Sequence, residues 1–209
     1  MLTVAVGNLE LVSELQNPND VFVLNALEAC EIIRIQLENA LNNSDRREAS
    51  LFGLVEATRQ AVTLMSGTMP EEINLKSPRT SSEFVVYAQR SAYEMALLNL
   101  VKNAAEAIGD SPGTIDISIR TTHYEQPFEA ISGIVPAGDA ALVEVHDDGG
   151  GMDAVTLFNA MKPGFTTNTG YGLGLPSCLD FVQSNDAGLQ IDSHRGHGTI
   201  VTLIFPVLI

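Results

Sequence analysis

The chain has 209 residues, 45% of them hydrophobic, which suits one large or two modest globular domains with a real core and argues against disorder. Its 26 acidic against 11 basic side chains leave a net charge of −15, a poor basis for gripping nucleic acid or docking on an anionic membrane. Cys30 and Cys178 lie far apart without CxxC spacing and read as reduced thiols of a cytoplasmic protein. No apolar run approaches the roughly 20 residues that span a bilayer, and no basic-then-apolar leader opens the chain, so a soluble protein is expected.

Residues 1–68 read as helix broken by short turns. Leu2, Val6, Leu9 and Val12 recur at helical spacing before the cluster Asn17-Pro18-Asn19-Asp20, where Asp20 can cap the next helix. Val23, Leu27, Cys30, Ile33, Leu37 and Leu41 form a near-heptad stripe, and after a turn at residues 42–45 Leu51, Val55, Thr58, Val62 and Met65 mark a third helix. Short turns favour antiparallel neighbours, so a helical hairpin or small bundle is expected, with stripes long enough for a homodimer to form through it. A hairpin that packs only on the rest of its own chain is the alternative.

Gly67, Pro70 and Pro78 mark a linker over residues 69–82, and residues 83–209 have a different character. A short strand is expected at residues 83–87 and a helix at 89–108, stopped by Gly109 and Pro112. On that helix Met95, Leu98, Val101, Ala105 and Ile108 make an apolar stripe, while Asn99, Asn103 and Glu106 share another face. Ile115, Ile117 and Ile119 alternate as in a half-buried strand, residues 123–139 read as a loop, and Ala141, Val143 and Val145 alternate into Asp147-Asp148-Gly149-Gly150-Gly151. A short helix near residues 154–161, a glycine-rich loop, a helix near 173–184 with Pro176 in its first turn, and strands near 189–194 and 199–207 complete the chain. The fold class is α+β: a helical hairpin or bundle, then a two-layer α/β sandwich with a mixed sheet.

Three glycine loops carry the chemistry. Gly170, Gly172 and Gly174 alternate at a helix N-terminus, where backbone N–H groups and the helix dipole suit an anion. The loop fits neither a dinucleotide fingerprint nor a P-loop. Asp147, followed by Gly149 and Gly151, puts a carboxylate at a strand end, able to accept from an amino group, with glycines that let a flat ring approach the backbone. Taken singly, an Asp-Gly turn ending a strand and a hairpin turn at Gly196-His197-Gly198-Thr199 are commonplace.

In order, the blocks at residues 99–107, 147–152, 163–167, 170–175 and 196–199 resemble the nucleotide-binding domain of the histidine kinase, gyrase, heat-shock chaperone and mismatch-repair ATPase superfamily. Their wording is most similar to the N, G1, F, G2 and G3 boxes of bacterial sensor histidine kinases, across roughly the last 125 residues. The resemblance implies a Bergerat ATP-binding fold with ATP and Mg²⁺ as cofactors. Asn103 would coordinate the magnesium, for which an amide oxygen is a suitable hard ligand, and Asn99 would help to place the phosphates. Asp147 would bind the adenine amino group with Thr199 nearby, and Gly149 and Gly151 would shape the base pocket. Gly170, Gly172, Leu173 and Gly174 would form the phosphate loop, and Phe165 would belong to the lid.

Relatives that hydrolyse ATP carry Glu where Asn99 stands; an amide cannot take the proton of an attacking water, so Asn99 implies phosphoryl transfer to a protein. Glu106, a turn beyond Asn103, reads as a surface or supporting group rather than a substitute base. The four histidines, His123, His146, His194 and His197, all lie in the α/β part, so the acceptor histidine is expected outside this chain, or lost. His194 and His197 lack a third ligand for a metal site. A short lid stretch with Lys162 as its one basic residue, and Asn168 where relatives often place a cation, puts transfer rather than binding in question. The implied partners are a second copy, a histidine-bearing protein and a response regulator. The alternatives are a degenerate kinase that acts as a scaffold and an anti-sigma-type serine kinase.

Overall fold

The computed structural model describes residues 49–162, 165 and 174–208. In chain order the elements are β1 (Ser50–Gly53), α1 (Leu54–Ser66), β2 (Ile73–Lys76), β3 (Val85–Ala88), α2 (Arg90–Ile108), β4 (Gly113–Tyr124), β5 (Phe128–Glu129), β6 (Ile134–Val135), β7 (Gly138–Asp147), α3 (Ala154–Ala160), α4 (Gly174–Gln183), β8 (Gly188–Ser193) and β9 (Thr199–Pro206). The main sheet has the order β2-β4-β7-β9-β8, parallel at β2-β4 and antiparallel elsewhere, which makes it mixed as expected. The helical hairpin expected within residues 1–48, and Cys30 with it, lies outside the described residues.

Period-two alternation decides which face of the sheet packs. Ile115, Ile117 and Ile119 of β4, Ala141, Val143 and Val145 of β7, Leu203 and Phe205 of β9, and Leu189 and Ile191 of β8 bury into one core with α1, α2 and α4. The other face carries a smaller cluster of Val135, Ala140, Leu142 and Ile204, against which Tyr124 and Phe128 pack. That second cluster explains why residues 123–139, expected as a loop, instead extend β4 to Tyr124 and fold into the β5–β6 ribbon.

Two other expectations change. The helix expected to end the helical preface forms as α1, but its buried Leu54, Val55, Ala57 and Val62 belong to the sandwich core. The Thr58 hydroxyl donates to the Leu54 carbonyl and meets the Tyr93 hydroxyl, whose ring lies between Phe52 and Phe205 at 5.7 and 5.6 Å. Within the expected linker, Ile73 is buried and β2 pairs with β4, because an apolar residue beside an open sheet edge gains more from pairing than from solvent. Along α2 the buried stripe is Tyr93, Ala96, Leu97, Leu100, Val101 and Ala104 rather than the set centred on Leu98. At 3.6 residues per turn, Asn103 therefore lies on the flank of the packed face, with Asn99 further round the helix.

The N-terminus of α1 is capped from a distance. Gly53 provides no side chain, and the Glu83 carboxylate instead accepts from the N–H groups of Val55 (2.7 Å), Glu56 (3.0 Å) and Phe84 (3.0 Å). An anion there satisfies orphan donors and complements the helix dipole. Glu83→Ala should lower stability to urea by about 1–2 kcal/mol, the range of a lost N-cap, with Glu83→Gln in between. Equal unfolding midpoints for all three proteins would sink this assignment.

Candidate functional site

The core face of the sheet stops being apolar at one end. Ile115 pairs with Asp147, Asp147 with Thr199, and Thr199 with Ser193, so these four residues form one row across β4, β7, β9 and β8. Directly opposed residues point to the same side. Asp147 thus continues the parity of Ala141, Val143 and Val145 and sits where alternation calls for a hydrophobe; it is only 4% exposed. Burial pushes its carboxyl above the usual aspartate range, while the backbone N–H groups of Gly149 and Thr199 pull it back, the former donating to Oδ1 at 2.9 Å.

The loop after Asp147 is seated on the end of α2. Gly150 N–H donates to the Ala107 carbonyl at 3.0 Å, satisfying an acceptor that the helix end leaves open. A methyl at Gly149 would lie 2.6 Å from that carbonyl. Gly151 has φ +60° with its α-carbon facing the His194 carbonyl, and Gly198 has φ +76° facing the Asp147 carbonyl; neither position has room for a side chain. Gly196 N–H closes the turn onto the Gly150 carbonyl at 2.7 Å. Asp148, beside the row, accepts from Thr114 N–H at 2.9 Å and anchors the loop to the start of β4.

On the flank of α2, exposed Asn103 faces the first turn of α4: a methyl at Gly174 would come 3.1 Å from Asn103 Oδ1. Asn99 lies one turn earlier and is half-buried. The structure therefore brings together Asp147, Gly149, Gly151 and Thr199, and separately Asn103 and Gly174. Gly170, Gly172 and Leu173 lie outside the described residues. Phe165 is placed only through its N–H, which donates to the Lys162 carbonyl at 3.3 Å. Lys162 itself reaches Asn159 Oδ1 at 2.9 Å and lies 4.2 Å from the Phe158 ring centre. His194 pairs with Asp192 at 3.3 Å and His197 Nδ1 lies 3.1 Å from the Arg195 carbonyl. No cluster of three His, Cys, Asp or Glu side chains suited to a metal occurs among the described residues.

Motif reading passed over Ser193. Its hydroxyl lies 2.8 Å from Met152 N, 3.2 Å from the Gly198 carbonyl and 2.9 Å from Thr199 Oγ1. The signal was available in the register, since Ser193 ends a strand whose preceding same-face residues, Leu189 and Ile191, are apolar.

Chemically, a buried acceptor beside a hydroxyl suits the exocyclic amino group of a flat base, and a small-residue helix start beside an amide suits phosphates with a hard cation. The family described as Histidine kinase-, DNA gyrase B-, and HSP90-like ATPase matches residues 88–209. The chain is 35% identical over 126 residues to the sensory histidine kinase/phosphatase NtrB of Rhizobium leguminosarum bv. phaseoli, covering 57% of this chain and 31% of that protein. It is 26% identical over 209 residues to the sensor protein DegM of Bacillus sp. (strain B21-2), covering 99% of this chain and 51% of the relative. The chain thus spans about a third to a half of these curated relatives. Among solved structures, the catalytic domain of histidine kinase ThkA is similar with a TM-score of 0.61 and 25% identity, over 76% of this chain and 95% of that one. ThkA in complex with response regulator protein TrrA gives a TM-score of 0.60 at 19% identity, over 99% of this chain and 58% of that one.

Two outcomes are expected. Gly151→Ala combines a left-handed backbone with a carbonyl in the way and should cost about 2–3 kcal/mol, whereas Gly196→Ala, with φ +80° and nothing within 4 Å, should cost about 1 kcal/mol. Urea melts giving both variants the same loss would contradict the packing of this loop. For Asp147, a folded pKa above the unfolded one means that stability is lost as pH rises from the ordinary aspartate value through the folded one. Asp147→Asn should accordingly be more stable, relative to the unmodified chain, at pH 7 than at pH 3. A constant difference across that range would refute the cost assigned to the buried carboxylate.

Proposed function

The chain belongs to the family of histidine kinase-, DNA gyrase B- and HSP90-like ATPases, and from that membership we propose that it is the ATP-binding core of a protein-histidine kinase of two-component signalling. The observation that carries this reading is the buried Asp147 carboxylate in register with Thr199, at a strand end followed by a loop seated on the same helix that holds Asn99 and Asn103. Asp147 and Thr199 accept from the adenine amino group. Asn103, exposed beside Gly174, would hold a magnesium ion, which would neutralise phosphate charge when the nucleotide is bound. Asn99 orients the phosphates and, as an amide, takes no proton from water, so the γ-phosphoryl passes to an imidazole nitrogen of an acceptor histidine not present in this chain, leaving ADP.

The partners that follow are a second copy joined through the helical region, the histidine-bearing protein, and a response regulator. ThkA, whose fold this chain shares, has been captured with such a regulator. A cytoplasmic location accords with this role, and no helix among the described residues is long and apolar enough to cross a membrane. One observation favours a second reading: Lys162 is engaged by Asn159 and Phe158, which suits a degenerate kinase that binds nucleotide and signals through protein contacts without transfer.

Calorimetry with ATP and Mg²⁺ tests the first step. The unmodified chain should bind, Asp147→Asn should lose at least tenfold in affinity, in line with about 1.5–3 kcal/mol for a hydrogen bond to a charged group, and Asn103→Ala should weaken the Mg²⁺-dependent part selectively. No binding by the unmodified chain would overturn the kinase core. If ATP binds, γ-labelled ATP with a histidine-bearing helical domain should transfer label; binding without transfer would select the scaffold.

A further inference from the structure

On the premise that the pocket takes ATP, we propose that Ser193 is a specificity-determining positioning residue that fixes the Thr199 hydroxyl as a hydrogen-bond acceptor, so that the site reads a 6-amino and rejects a 6-oxo purine. A serine hydroxyl has one hydrogen to donate and two lone pairs. Met152 N–H can only donate to Ser193 Oγ, at 2.8 Å, and the Gly198 carbonyl can only accept from it, at 3.2 Å. We assign the single hydroxyl hydrogen of Ser193 to the Gly198 carbonyl, so that at 2.9 Å the Thr199 hydroxyl donates to Ser193 and keeps its lone pairs for whatever lies beside Asp147.

The register makes this matter. Ser193, Thr199 and Asp147 are consecutive members of one row, so the serine orients the hydroxyl next to the carboxylate without itself standing next to it. Asp147 and Thr199 then offer acceptors side by side, matching the two N–H bonds of an amino group directly or through one water. A 6-oxo group offers only lone pairs and meets repulsion from both. Without Ser193 the Thr199 hydroxyl is free to rotate and donate toward a carbonyl. The same serine holds Met152 and Gly198, one on each glycine loop, which keeps the hydroxyl in place.

The test uses the full chain with Mg²⁺ and three probes: ATP, inosine triphosphate with a 6-oxo group, and purine riboside triphosphate with only hydrogen at position 6. Ser193→Ala should weaken ATP about 3- to 10-fold, the loss of one neutral hydrogen bond, leave purine riboside triphosphate unchanged, and narrow the ratio of ATP to inosine triphosphate affinity. Ser193→Thr, which keeps the hydroxyl, should restore the ratio, and Ser193→Ala should have no further effect on that ratio in a Thr199→Val background. Ser193→Cys, similar in size but a weak hydrogen-bonding partner, carries the same comparison should the alanine variant fail to fold. Equal weakening of all three nucleotides, or an unchanged ratio in the alanine or cysteine variant, would overturn the proposal and leave Ser193 a structural clasp. Failure of the unmodified chain to bind any of the three would overturn the ATP pocket itself, and this inference with it.

Discussion

A carboxylate that must stay buried at the end of a central strand sets the terms for everything around it. Asp147 occupies a core-facing position in β7, and burial opposes its charge. Its compensation is the two backbone N–H groups of Gly149 and Thr199. Supplying the first requires a backbone that turns back tightly after the strand; supplying the second requires β9 in one register only. Glycine at 151 and 198 follows, because their α-carbons face the carbonyls of His194 and Asp147 without room for a methyl. The glycine motifs are thus partly the geometric consequence of keeping one acceptor buried and hydrogen-bonded.

That constraint reaches into the helical layer through Ala107. The loop after Asp147 is held where α2 ends, and α2 is held by Tyr93, Leu97, Leu100 and Val101 in the core. Tyr93 is in turn fixed by Thr58 of α1 and the rings of Phe52 and Phe205. The site is therefore mounted on the best-packed helix, and α1 supports it as part of the same domain. A preference for rigid supports is what a site needs when a displacement of an ångström changes binding.

The glycine blocks, the strand alternation and the asparagine helix were legible in the sequence because each has a short-range signature: period two, period near 3.6, and glycine where side chains cannot fit. What escaped depends on pairing between distant segments. The membership of α1 in the sandwich turns on Thr58 meeting Tyr93, which no local period encodes. The flank position of Asn103 turns on which side of α2 the sheet and α4 cover, and the apolar residues Leu98 and Met95 gave a misleading centre. The β2 segment reads as linker because four residues with one buried isoleucine carry little pattern. Ser193 shares the alternation of Leu189 and Ile191, but its contacts with Met152, Gly198 and Thr199 form only once β8 is in register with β9.

The two halves of the site are supported differently. The Asp147 end rests on sheet register, whereas the Asn103 end rests on the contact of α4 with α2. There the Cys178 thiol points at the Ala96 carbonyl at 3.5 Å, and Gly174 meets Asn103 one turn of α4 earlier and two turns of α2 later, so the helices run in opposite senses. Burial pushes the Cys178 thiol up to about 12, so it stays a neutral donor and a small packing group rather than a reactive one. A larger side chain at Cys178 would push α4 outward and carry Gly174 away from Asn103. The distance between Asn103 and the start of α4 is thereby set by a buried contact two helical turns from Asn103 along α2.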